Sequence, residues 1–114
     1  MGVIQVPDIN GQPQEVCFQQ PGTPSDRSGT CDGNSDVVLE AVPTGSTRAG
    51  WLIQNKSTAG NLMFVNDLGS PADQSPTSVI LQPGESFPPP GYPITQGEVQ
   101  VLGAVGDNYM AREW

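Results

Sequence analysis

The chain has 114 residues, with twelve acidic side chains against four basic ones, a net charge of −8, and no histidine. The charge excludes a nucleic-acid surface, which needs clustered Lys and Arg. The lack of histidine removes the usual general base, the Ser–His and Cys–His dyads, and the commonest zinc ligand. Fourteen glycines and twelve prolines break every window that would otherwise show a helical period, so the composition predicts a single all-β domain: an antiparallel β-sandwich of short strands.

The chain opens on MGVIQVPDIN, which has neither the basic region nor the long apolar core of a signal peptide, and where myristoylation wants Ser or Thr at the sixth position it has Val6. No apolar run approaches the length of a membrane span. Residues 1–36 hold 9 apolar residues of 36, whereas residues 37–114 hold 31 of 78. The first part therefore reads as an extended N-terminal arm and the second as the sandwich body. In the arm, VIQV and EVCF are candidate short strands, and QQPGTPSDRSGTCDGNSD reads as a long loop, ordered only where something holds it. Cys17 and Cys31 bracket 13 residues of this loop. A disulfide there would add about 3 kcal/mol by loop entropy; whether the pair is bonded or free stays open. Asp32, Asn34 and Asp36 have the first ligand spacings of a calcium loop, but Val37 stands where that loop requires Gly and Pro43 where it requires Glu. A turn with side-chain to backbone bonds is the expectation instead.

In the body, DVVLEAV is followed by the turn PTGSTRAG. WLIQN and NLMFVN are expected to form a hairpin. TSVILQ leads into PGE, a Pro–Gly pair suited to a type II turn with Gly at positive φ. ESF runs into PPPGYP, which cannot donate ladder bonds and belongs outside the sheet. PPGY matches the P-P-x-Y ligand of WW domains, but four residues in a Pro-rich chain carry little weight and the expectation is a rigid loop at one end of the sandwich. Finally, GEVQVLGA and NYMAREW are expected to pair through the turn VGDN. No acid/base pair, phosphate loop or nucleophile motif is present, so the chain reads as a non-enzyme without cofactor or metal.

The residues WLIQNKSTAGNLMFVN pose one question. Both faces of both arms are apolar, whereas a strand with a solvated face alternates. The second face needs a cover. The arms carry Trp51, Ile53, Leu62 and Phe64, with Leu52, Met63 and Val65 between them. Their exposure on a monomer would make a larger apolar patch than monomers usually tolerate, so a homo-oligomer is expected, a trimer rather than a dimer. At the other end, Trp114 is expected to pack on the body or on a neighbour, with Arg112 making a charged contact beside it.

Over residues 50–114 the elements IQN-x-S at 53–57, the L-x-PGE turn at 81–85, QGEVQVLGA at 96–104 and the terminal Glu113–Trp114 carry a resemblance. Together they are similar to small structural proteins of tailed bacteriophages, in particular capsid decoration (cement) proteins with a jelly-roll-like sandwich. The resemblance implies a virion protein made in the host cytoplasm. It implies partnership with the major capsid protein and with further copies of itself; the apolar hairpin and the C-terminal strand offer Trp51, Ile53, Leu62, Phe64, Arg112 and Trp114 as the contact residues. Fibre or tail structural proteins share such patterns. A β-sandwich module binding carbohydrate or peptide through Trp51, Tyr92 or Trp114 is the alternative from a different class.

Overall fold

The computed structural model describes residues 23–114 throughout and, as backbone, residues 5–7 and 13–15. The described chain is all-β, and no helix in it is long and apolar enough to cross a membrane. Its strands are β1 (Gln5–Pro7), β2 (Pro13–Glu15), β3 (Ser25–Asp26), β4 (Gly29–Thr30), β5 (Asp36–Leu39), β6 (Trp51–Asn55), β7 (Met63–Asn66), β8 (Val79–Leu81), β9 (Ser86–Phe87), β10 (Val99–Leu102) and β11 (Asn108–Glu113). β1 and β2 pair with one another. The other nine form two antiparallel sheets packed as a sandwich. One has the order β5-β10-β7-β8; in the other, β11 pairs with both β3 and β4 on one side and with β6 on the other, and β6 pairs with β9. The all-β sandwich expected from composition is the fold.

Inward positions follow the strand period of two except on β5, where the register with β10 shifts and the adjacent Val38 and Leu39 are both buried. With them, Met63 and Val65 of β7 and Val99 and Val101 of β10 pack from one sheet. Trp51 and Ile53 of β6, Phe87 of β9 and Ala111 of β11 meet them from the other. Burying each larger side chain contributes roughly 1.5–3 kcal/mol, against a conformational entropy of similar total size. Phe87 meets both Trp51 and Tyr92 edge to face, with ring centroids 5.5 and 4.8 Å apart. The PGE turn forms as expected: Gly84 has φ of +88°, and the Glu85 amide donates to the Gln82 carbonyl at 2.9 Å.

Two expected pairings do not form. WLIQN and NLMFVN are not a hairpin, because β6 lies in one sheet and β7 in the other. The connection 56–62 arches across the end of the sandwich. Asn55 holds the arch: its Nδ2 donates to the carbonyls of Asn61 and Leu81 at 2.9 and 3.0 Å, and its Oδ1 accepts from the Ser57 amide. Ser57 Oγ then accepts from the amides of Ala59 and Asn61. In the same way β10 and β11 belong to different sheets. The chain between them turns at 104–107, where the Asp107 amide donates to the Ala104 carbonyl at 3.0 Å. Cys31 fastens this crossing, its amide donating to the Asp107 carbonyl at 2.7 Å and its carbonyl accepting from the Gly106 amide at 3.0 Å. Alternation looks identical in a hairpin and in an arch, so the period of two leaves the partner open.

The arm boundary also moves. Residues 23–36 were assigned to an arm because they carry little apolar surface, yet β3 and β4 pair with β11, and Cys31 is a core residue. Strand β11 is what holds the second half of the long loop. Cys17 and most of the first 22 residues lie outside the described residues.

Candidate interaction surface

The outer face of the four-stranded sheet is where the apolar positions go that the core does not use. Phe64 sits directly opposite Leu102 on one neighbour and Ile80 on the other, which makes a cross-strand row of three apolar side chains. Leu62 precedes the row on the chain. Ile80 is 54% exposed, Leu62 40% and Val105 78%. A shallow groove of about 570 Å³ runs here, lined by Leu62, Phe64, Leu102 and Val105 among others and by no charged side chain.

The next row is partly covered. Two residues further along, Gln100 stands opposite Asn66 and Val37, and Val37 stays 41% exposed. Gln100 and Asn66 are buried. The loop 67–78 lies back over this end through polar bonds. Ser35 Oγ donates to Gln100 Oε1 at 2.9 Å and accepts from the Ala72 amide at 2.7 Å, and Asn66 Oδ1 accepts from the Leu68 amide. The second face of the NLMFVN strand is therefore half roofed by the protein's own loop and half open. This open half is the candidate contact face.

The six contact candidates are distributed unequally. Trp51, 3% exposed, and Ile53 are core residues, because β6 turns them toward the opposite sheet. Met63 and Val65 are buried as well, so four of the seven apolar side chains on which the expectation of a trimer stood lie in the core. Leu62 and Phe64 lie on the open face. Trp114 is half-buried. Its ring lies over Gly50, where a Cβ would collide with it, and its backbone accepts from Ala49 and donates to Gly50. Arg112 is exposed opposite Asp26. Among the described residues the ion pairs are instead Arg27–Glu113 and Arg48–Glu113, at 2.9 and 3.0 Å.

Arg48 is the residue that sequence reasoning passed over. Its guanidinium is almost wholly buried. Nη1 donates to the Thr95 and Gly97 carbonyls at 2.8 and 2.9 Å, Nη2 to the Glu40 carbonyl at 2.6 Å, and Nε to Glu113 Oε1 at 3.0 Å. Glu40 follows β5 and Thr95–Gly97 precede β10, whereas Glu113 ends β11, so this one side chain ties the two sheets together. The surrounding TGSTRAG is a turn by every local signal, and nothing in it marks the arginine as internal.

A second groove, about 590 Å³, is lined by Trp51, Leu52, the prolines 88–90, Tyr92 and Trp114. The three aromatics named for the binding-module reading thus converge. Tyr92 is committed to the body, its ring against Phe87 and its hydroxyl donating to Asp67 Oδ2 at 2.9 Å. That is the rigid end loop, and it removes the tyrosine from a WW-type ligand. Asn55-Lys56-Ser57 also has the spacing of a glycosylation sequon, but Asn55 and Ser57 are buried and both Nδ2 hydrogens of Asn55 are already donated.

Around Cys31 the chemistry is quiet. Burial, then the charges of Asp107, Asp36 and Asp32, push its thiol up to about 11, so it is not a thiolate at neutral pH. The DGNSD segment is the expected turn, with Asp32 Oδ1 accepting from the Asn34 amide. Among the described residues no group of three or more His, Cys, Asp or Glu is placed to hold a metal ion. Asp32 and Asp36 share a hydrogen bond, which raises the Asp36 carboxyl, while the Asn34 amide and that same bond lower Asp32. A carboxyl raised by folding favours the folded state at low pH and loses that contribution as pH rises through its folded value. Asp36→Asn is therefore expected to raise the thermal midpoint at pH 7, with the gain disappearing below the ordinary carboxylate range. Melting curves of both proteins across that interval check it.

Comparison with protein-family models, with curated protein sequences and with solved structures finds no match for this chain.

Proposed function

We propose that the chain is a structural virion protein that binds the outside of an assembled phage capsid and stabilises it by bridging neighbouring capsid subunits. The observation that carries the reading is the open apolar row Ile80–Phe64–Leu102 with Leu62 and Val105 beside it, on a rigid sandwich. A joint needs area, shape and stiff turns rather than reactive groups, and contact with the assembled shell alone stabilises that shell by mass action. The partner is the major capsid protein. The resemblance of residues 50–114 to decoration proteins supplies the biological setting, and a fibre or tail position uses the same surface chemistry. The test is direct. Virions carrying the chain should show it by mass spectrometry in stoichiometric amount and as density on the shell exterior. Absence from purified virions overturns the reading.

A second reading has one observation in its favour, the convergence of Trp51, Tyr92 and Trp114 on the proline-lined groove. A module of this kind binds carbohydrate or peptide. Glycan and peptide arrays decide it: saturable binding lost on Trp114→Ala supports the module, and no binding on either array removes it.

A further inference from the structure

The open face has an electrostatic frame. The strands and turns of the four-stranded sheet, residues 31–40, 61–82 and 98–107, hold seven of the twelve acids and none of the four bases; Asp67 and Asp107 are buried, which leaves Asp32, Asp36, Glu40, Asp73 and Glu98 toward the surface. The bases lie elsewhere. Arg27 and Arg112 belong to the β3–β4 and β11 side, Arg48 is buried, and the Lys56 amide donates to Asn108 beyond the end of β6, in the layer of the five-stranded sheet. The groove itself has no charged lining. Its surroundings include Gly33, between Asp32 and Asp36 on the chain, and Gln74, next to Asp73.

An apolar centre inside a frame of one charge sign selects its occupant. Two copies placed face to face would bring the two acidic frames together, and like charges across an interface oppose that pairing. An anionic membrane is repelled for the same reason. We infer that the open face of the four-stranded sheet docks on a protein surface of the complementary kind, an apolar centre rimmed by Lys and Arg, and not on the same face of a second copy. This rests on the proposed reading of that face as a contact surface and names the chemistry of the partner. Screening of the rim by salt weakens the attachment while the apolar centre holds its share.

The experiment uses the full chain and two synthetic heptapeptides, one alternating Leu and Lys, the other Leu and Glu, in titrations at low and high salt. The Leu–Lys peptide is expected to bind and the Leu–Glu peptide not. Ile80→Ser/Val105→Ser, two exposed positions that leave the core untouched, should weaken Leu–Lys binding by on the order of tenfold. Asp73→Asn/Glu98→Gln should weaken it about threefold and flatten the salt dependence. Equal binding of the two peptides overturns the inference. So does Leu–Lys binding that ignores Ile80→Ser/Val105→Ser, because attraction to net charge alone needs no particular face. Sedimentation velocity supplies the third arm: wild-type self-association abolished by the same double substitution assigns the face to a second copy. Peptide preference together with absence from virions would sink the capsid reading and leave the basic partner standing, so the two failures are distinguishable.

Discussion

Replacing Arg48 by methionine is expected to destabilise the fold by about 3–5 kcal/mol, the range for breaking a buried ion pair from one side. A domain of this size has roughly 5–15 kcal/mol in all, so the variant should sit near the edge of folding. Four N–H groups of the guanidinium are in use, three on carbonyls and one on Glu113. Methionine fills much of the same volume but leaves those acceptors without donors at the junction of the two sheets. Arg48→Lys should fall between, because one ammonium cannot span acceptors arranged around a planar fork. The informative control is Arg27→Met. Arg27 holds the other oxygen of the same carboxylate, Glu113 Oε2, at 2.9 Å, but its side chain is 51% exposed. Screening by solvent reduces such a pair to about 0–1 kcal/mol. Denaturant titrations of the three variants should therefore show a large shift for Arg48, a partial one for its lysine replacement and almost none for Arg27, with unchanged slope. Equal effects of Arg27→Met and Arg48→Met would mean that the pair with Glu113, and not the set of carbonyls, is what holds the sheets.

How much of this was legible in the sequence depends on which physical rule was at work. Strand positions were readable because turn chemistry and the period of two are local: WLIQN is β6 to the residue, and the PGE turn formed as its Pro–Gly pair requires. Strand partners were not. Trp51 and Ile53 looked like one arm of a hairpin and are instead half of an inter-sheet core, since a pattern of inward and outward residues does not say what lies beside the strand. The segment 25–31 was missed for a related reason. Its exposed Ser, Asp, Gly and Thr give no burial signal, and its ladder to β11 is made by backbone groups that every residue carries. The open surface was half legible. Leu62 and Phe64 were named as contacts from the apolar excess, whereas Ile80, Leu102 and Val105 belong to it only through register. Arg48 gave no signal at all, because its acceptors come from residues 40, 95, 97 and 113.

Asn55 shows the opposite case, a residue that stood out in the sequence as part of IQN-x-S at 53–57 and had no physical reason until the arch was visible. Asn55→Ala is expected to cost about 2–4 kcal/mol, two to three buried hydrogen bonds at roughly 1 kcal/mol each plus the penalty of the groups left unpaired. The Leu81 carbonyl and the Ser57 amide would lose a partner in the interior, and the arch between the sheets would lose the side chain that closes it. Asn55→Asp keeps the size and the acceptor for Ser57, but sets a carboxylate oxygen against the carbonyls of Asn61 and Leu81, where the amide nitrogen now donates to both. Burial and the facing carbonyl oxygens both disfavour the charged form, so folding raises the pKa of the new carboxyl. By linkage its folded state is favoured at low pH and loses that support as pH rises. Asn55→Asp should then be at least as unstable as Asn55→Ala at pH 7 and regain much of the difference in acid, where a protonated carboxyl donates to one carbonyl again. Denaturant midpoints of both variants across that range decide it. A pH-independent gap between them would mean that the side chain at position 55 faces water and not the carbonyls, and the account of the arch would fail.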